Sequence, residues 1–362
     1  MSEHTAVEIK RAPFVHNAWY CAAWGDEVTD ELLGRKLLNE PVVLFRNERG
    51  EPYALRNICS HKLAPLNLGR HLGDRVECPY HGLQFDGNGR CVHNPHGKGT
   101  TPRVADIRAF PLVERDTVLW IWMGDPALAD PANISDCSYI TSPKRRTVKS
   151  LIKVAGNYRL SIDNLMDLGH VFFLHRSSAG GSAGNVEIQV TEENDTVCDR
   201  RFSTGNKGLH FFARALGDVD GVYDNWLDIE WSPVGVLRNH SGSSRLGCGR
   251  NTGGSNQEDF ADQMGTHLLT PETEASSYYF AANSRNYALD DAGVDEFWRS
   301  WHKTALNEED SRIVAAIQAN TRDAERLGIK PMPFLSTDVS GVRVARIIDR
   351  LLAAEAQGGT AA

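Results

Sequence analysis

Apolar residues between about Val15 and Met123 come in short runs separated by turn-forming residues. Val42-Val43-Leu44-Phe45 leads into Asn47-Glu48-Arg49-Gly50, and Tyr53 to Ile58 forms the next run. Leu83-Gln84-Phe85 and Cys91-Val92-His93 flank Asp86-Gly87-Asn88-Gly89, a hairpin signal. Val118-Leu119-Trp120-Ile121-Trp122 is a compact aromatic strand. This spacing predicts an all-β module.

Beyond a Pro-, Ala- and Asp-rich stretch from Asp125 to Ser142, which reads as a boundary, the pattern changes. Ile152 to Leu168 runs from a strand-like start into a helical segment. Val186 to Val190 and Tyr278 to Ala282 read as strands, Asp295 to Arg326 as one long helix, broken at most once, and Val342 to Leu352 as an amphipathic helix. Ser177 to Gly184 and Ser241 to Asp259 are flexible by composition, either lids or plain surface loops. The expectation is therefore α+β: an N-terminal all-β domain over 14–128, then a catalytic domain over 129–362 with helices packed on an antiparallel sheet.

Composition narrows the function classes. The chain has 362 residues, a formal net charge of −8 and no long basic run, which argues against nucleic acid. No apolar stretch approaches the roughly 20 residues that span a bilayer. The start is polar and lacks a signal-peptide core. Seven cysteines show no disulfide spacing, so a reducing cytoplasm is expected. Cys21, Cys91, Cys137, Cys198 and Cys248 read as buried structural thiols.

Cys59-Ser60-His61 and Cys78-Pro79-Tyr80-His81 carry the first chemistry. Two loops, each offering one thiolate and one imidazole, match a [2Fe-2S] cluster with two cysteines on one iron and two histidines on the other. Neutral imidazoles raise its potential into roughly −150 to +300 mV. The alternative is zinc, which also takes Cys2His2 but more often pairs like with like. A second constellation, Asp163-Asn164-Leu165-Met166-Asp167-Leu168-Gly169-His170-Val171-Phe172-Phe173-Leu174-His175, places two histidines five apart. A helix that loosens after Gly169 would bring both imidazoles to one metal. With one carboxylate they form the facial triad of non-haem Fe(II) oxygenases. Spacing leaves that carboxylate open among Asp163, Asp167 and acids downstream.

Together these motifs resemble the Rieske non-haem iron oxygenases, and within them the vanillate and dicamba O-demethylase branch. Further matches are Asn17-Ala18-Trp19-Tyr20, Ile162 to Leu168 and Thr270-Pro271-Glu272-Thr273-Glu274-Ala275. The likeness runs from about Asn17 to the last helix and thins between Arg176 and Gly265. The resemblance implies a helix-grip catalytic domain. It implies Asp310 as the third iron ligand, with Glu309 as fallback, and Asp167 as a bridge between a cluster histidine of one subunit and an iron histidine of its neighbour in a homotrimer. Asn164 matches a polar residue beside the iron. Asn239, His267 and Trp301 match positions that contact an aromatic substrate, with Arg238 a possible added charge. Plain core packing is an equal reading for Trp301.

The expected protein is thus a terminal oxygenase that uses O2 on an aromatic compound, with O-demethylation favoured over N-dealkylation or methyl hydroxylation. No G-x-G-x-x-G follows a strand, so NAD(P)H electrons are expected to arrive through a separate ferredoxin or flavin reductase. The rivals are a ring-dihydroxylating Rieske dioxygenase and a pure electron-transfer Rieske protein.

Overall fold

The computed structural model describes residues 14–175, 186–251, 257–330 and 335–358. The N-terminal part is built from short antiparallel strands. β1 (Trp19–Trp24) pairs with β11 (Val118–Trp122), which pairs with β10 (Leu112–Arg115). β2 (Leu33–Leu37), β3 (Glu40–Arg46), β4 (Pro52–Arg56) and β9 (Ala109–Phe110) form a second sheet in that order. β5 (Arg70–His71), β6 (Arg75–Glu77), β7 (Gln84–Asp86) and β8 (Cys91–His93) form a third, and the predicted Gly-rich hairpin joins the last two.

The remainder is organised on one antiparallel sheet. Its strands are β12 (Arg146–Val154), β13 (Glu187–Glu193), β14 (Thr196–Lys207), β15 (Val222–Ser232), β16 (Val236–Arg245), β17 (Phe260–Thr273) and β18 (Ser276–Arg285). Their order is β12-β18-β17-β16-β15-β14-β13. Helices α1 (Tyr158–Met166), α5 (Ser311–Leu327) and α6 (Val339–Ala356) pack on it and on each other, with α2 (Val171–Leu174), α3 (His210–Ala215) and α4 (Ala292–Trp301) beside them. The fold is α+β, as the periodicities predict.

The centre of this sheet is covered on both faces, which explains why Tyr278 to Ala282 of β18 reads as a continuous apolar run. On β16 to β18, Val236, Leu268, Phe280 and Ala282 point toward the N-terminal part and pack with Trp19, Trp24 and Trp120. Leu237, Leu269, Tyr279 and Ala281 point the other way, toward α1 and α6. Because side chains alternate with period two, Asn239, His267 and Asn283 belong to this second face. No helix among the described residues is long and apolar enough to cross a membrane.

Three local expectations change. Ser241 to Arg245 is not a loop but the end of β16. Its serines are buried, and two of them donate internally: Ser243 Oγ to Asn225 Oδ1 at 2.6 Å and Ser244 Oγ to the Gly249 carbonyl at 2.6 Å. The long late helix is not regular, because His302–Asp310 forms a π-helical segment between α4 and α5. Cys248 is exposed, unlike the other cysteines. The segment Ser177 to Gly184 lies outside the described residues.

Candidate active site: two metal centres and a cavity

The two loops with Cys59 and Cys78 are built alike. The Cys59 N–H donates to the Ala64 carbonyl at 2.9 Å and the Leu63 N–H to the Cys59 carbonyl at 3.0 Å. The Cys78 N–H donates to Leu83 at 2.8 Å and the Gly82 N–H to Cys78 at 3.1 Å. Leu63 and Gly82 hold matching positive φ angles of 59° and 72°, which glycine adopts freely and leucine does not. Both sulfurs are buried, while the His61 imidazole is exposed and that of His81 half-buried, with ring centroids 4.6 Å apart. Burial pushes the Cys59 thiol up to about 11, opposed by the backbone N–H groups of His61 and Lys62 and reinforced by Cys78. Two thiols in contact, aimed at by backbone donors and capped by two imidazoles, are a donor set that fits a Cys2His2 iron–sulfur cluster.

The second centre depends on a helix break. Asn157 caps α1, its Oδ1 accepting from the Arg159 N–H at 2.9 Å. The helix stops at Asp167, whose Oδ1 turns back to accept from the Gly169 N–H at 2.8 Å. The break therefore falls just before Gly169, not after it. His170 and His175 then bracket the short helix α2, which is why a spacing of five brings them together. Their Nε2 atoms lie 3.3 Å apart. Asp310 Oδ1 approaches to 3.1 Å from His175 Nε2 and 3.6 Å from His170 Nε2.

Tautomers decide what this cluster can do. His170 Nδ1 meets the Asp167 carbonyl, an obligate acceptor, so it carries the hydrogen. His175 Nδ1 meets the Glu309 carboxylate at 2.7 Å and carries the hydrogen for the same reason. Both Nε2 lone pairs therefore face each other and Asp310 Oδ1, a buried atom with no hydrogen bond of its own. Three acceptors converging without a proton repel unless a cation sits between them. Burial lowers the His175 pKa, but Asp310 and Glu309 outweigh it and hold it above the ordinary value. The site demands positive charge, and two imidazoles with a carboxylate suit Fe(II).

Glu309 thus has a role distinct from the fallback expected of it. It grips the far nitrogen of His175 while its neighbour Asp310 faces the near one. Glu309→Gln keeps an acceptor but removes the charge. We expect iron affinity to fall by roughly 10- to 100-fold, measured by iron retention against a chelator.

The triad opens into a cavity of about 440 Å3. Asn239, His267 and Trp301 all line it, on β16, β17 and the end of α4. Trp301 also packs against the main apolar cluster. The π segment changes its placement: nine residues make about two and a half turns of an α-helix, but hydrogen bonds closing over five residues rotate each position less, and Trp301 and Asp310 both line the cavity. Burial pushes His267 down to about 3, with His302 adding to the shift, so it is neutral, and its Nδ1 shares a 2.5 Å hydrogen bond with the Tyr279 hydroxyl.

Other expected residues fall elsewhere. Arg238 lies on the opposite face of β16, paired with Glu230, and adds no charge to the cavity. Asn164 is half-buried on α1, outside the cavity lining, and its side chain makes no hydrogen bond among the described residues. Asp167 is half-buried beside His170.

Residues 18–111 match the Rieske [2Fe-2S] domain, and residues 154–354 match the vanillate O-demethylase oxygenase C-terminal domain. The chain belongs to the Rieske non-haem iron oxygenases. It is 42% identical over 344 residues to the dicamba O-demethylase oxygenase component of Stenotrophomonas maltophilia, covering 95% of this chain and 99% of that one. It is 38% identical over 345 residues to the chloroacetanilide N-alkylformylase oxygenase component of Rhizorhabdus wittichii, covering 94% and 97%. The crystal structure of dicamba monooxygenase bound to 3,6-dichlorosalicylic acid superposes with a TM-score of 0.89 at 42% identity, covering 95% and 99%. The chain is the oxygenase component of a Rieske monooxygenase, and its cofactors are a [2Fe-2S] cluster and a non-haem iron. Sequence reasoning missed Gln263, Gly265, Asn283 and His302, which surround the cavity or support its lining.

Proposed function

We propose that this oxygenase removes an alkyl group from the heteroatom of a substituted aromatic compound, with O-demethylation the leading reaction and an aromatic acid or similarly polar methoxyarene the leading substrate. The observation that carries this is the convergence of His170, His175 and Asp310 on a largely apolar cavity of about 440 Å3, suited to one substituted ring. Cys59, His61, Cys78 and His81 would hold the cluster, and the three converging residues the iron.

Bound there, the iron supplies O2 activation that places one oxygen on the alkyl carbon next to the heteroatom. Overall, methoxyarene, O2, two electrons and two protons give phenol, formaldehyde and water. The protein's part is positional. Glu309 and the Asp167 carbonyl keep both imidazoles with their lone pairs inward. Leu165, Leu168 and Leu306 exclude water, and Trp298 and Trp301 offer flat apolar faces. Asn239 and neutral His267 hydrogen-bond a polar substituent without supplying charge. The test is product analysis over methoxy-, N-alkyl- and methyl-arenes with a surrogate reductase and NADH. Formaldehyde and phenol in equal amounts support the reading, and a cis-diol on the ring would sink it.

A homotrimer in the cytoplasm, with electrons from a separate ferredoxin or reductase, completes the proposal. Exposed His61 and half-buried His81 sit among exposed Leu63 and Tyr80, and exposed Phe173 lies on α2 between the two iron histidines. Apolar surface beside each centre favours head-to-tail contact between copies. Asp167 would then bridge the two metals of neighbouring subunits. In Asp167→Asn both metals should bind, while single-turnover reoxidation of the pre-reduced cluster slows by on the order of 10-fold, as expected for a lost hydrogen bond to a charged group. Unchanged reoxidation would count against the bridge.

A further inference from the structure

The cavity face of the sheet carries a second polar array, which runs from beside His267 across to β16. Ser150 Oγ on β12 donates to His302 Nδ1 at 2.8 Å. His302 Nε2 donates to Asn283 Oδ1 on β18 at 2.5 Å. Asn283 Nδ2 donates to Gln263 Oε1 on β17 at 2.6 Å, and Gln263 Nε2 to Ser241 Oγ on β16 at 3.2 Å. The row crosses four adjacent strands, and each link passes its hydrogen in the same direction. Burial pushes His302 down to about 4, so the ring is neutral.

The row ends at the cavity. Ser241, Gln263 and Asn283 line it, and Ser241 and Asn283 are only 2% and 4% exposed. Among the described residues no acceptor takes the Ser241 hydroxyl hydrogen or the second amide hydrogens of Gln263 and Asn283. A chain polarised in one direction strengthens its last donor, and buried donors left without acceptors cost about 1–3 kcal/mol each. Amides in the middle hold their hydrogens rather than pass them on, so this is not a proton path.

We propose that Ser241, Gln263 and Asn283, held by His302, form a second recognition wall that binds a hydrogen-bond-accepting substituent of the substrate, such as a carbonyl, nitro or sulfonyl group. Gln263 lies four residues along β17 from His267, about 13 Å at strand spacing, and Asn283 sits across from Gly265, halfway between them. A Cβ on Gly265 would approach Asn239 Cβ and His267 Nε2 to 3.2 Å, so the bare glycine leaves floor on which a ring can lie. The substrate would then be an aromatic with polar groups at two ends. This rests on the dealkylase reading and refines it.

The test uses oxidised, iron-loaded holoenzyme without reductant. Acetyl- and isopropenyl-substituted methoxybenzenes, nearly equal in shape, are titrated at each ring position by quenching of tryptophan fluorescence, since Trp226, Trp298 and Trp301 line the cavity. For at least one position the acetyl compound should bind roughly 10-fold tighter. Gln263→Leu should erase that preference without weakening the isopropenyl compound. Ser241→Ala, a smaller change, should reduce it in the same direction with unaltered melting temperature and cluster absorbance. No preference in the unmodified enzyme, or equal weakening of both ligands in Gln263→Leu, would overturn the wall. Formaldehyde assays run in parallel separate the two ideas: a Gln263-dependent preference without formaldehyde defeats dealkylation and keeps the wall, and formaldehyde without the preference does the reverse.

Discussion

Replacing His175 with alanine should abolish turnover and remove the mononuclear iron while leaving both irons of the cluster and their visible spectrum. His175 is the centre of its site: Asp310 and His170 lie 3.1 and 3.3 Å from its Nε2, and Glu309 holds its Nδ1. Losing the ring leaves one imidazole and one carboxylate, too few protein donors for the facial geometry. It also leaves Glu309 partly buried without the imidazole it holds, which weakens what remains. Because the cluster loops belong to other strands, their absorbance should not respond. Iron analysis together with the visible spectrum reads both outcomes in one sample. Full iron content and activity in this variant would show the triad to be wrong.

Cys78→Ser should abolish the electron paramagnetic signal of the reduced mixed-ligand cluster. The sulfur is buried at the base of its loop, in contact with Cys59, and the backbone there is fixed by the Cys78 to Leu83 and Gly82 to Cys78 hydrogen bonds. A hydroxyl at this place is a poor, hard ligand for iron of this type. The non-haem iron should remain, since nothing in its shell changes. Turnover with NADH and a reductase should be lost, because no electron reaches the cavity. A persistent signal would exclude Cys78 as a ligand.

Legibility in the sequence followed locality. The cluster ligands are two short words on two loops, and their mixed Cys/His pairing carried the chemistry unaided. His170 and His175 were visible as a pair, but a spacing of five looked wrong for one helix until the break at Asp167 was seen. Asp310 is far from them along the chain and came from family resemblance alone. The wrong expectation at Ser241 to Arg245 has a physical cause: serine and glycine read as loop, yet in β16 the Ser243 and Ser244 hydroxyls find acceptors on neighbouring segments. The polar row through His302, Asn283 and Gln263 was out of reach because it links diagonal neighbours on strands separated in sequence. The spacing Gln263-x-Gly265-x-His267 was its one local trace, since alternate residues share a face.

The π segment from His302 to Asp310 has a consequence for how this enzyme tolerates change in length. Consecutive residues on an ordinary helix diverge by about 100°, yet Glu309 and Asp310 both reach the same imidazole, one at each nitrogen. The wider turn supplies that freedom by holding one more residue than an α-helix would need over the same stretch. Deleting a single residue between Lys303 and Glu308 would let the segment relax to regular winding. The helix would survive, but α5, which begins right after Asp310, would turn relative to α4. Asp310 would swing off the triad, so length here works as a vernier that sets the iron site.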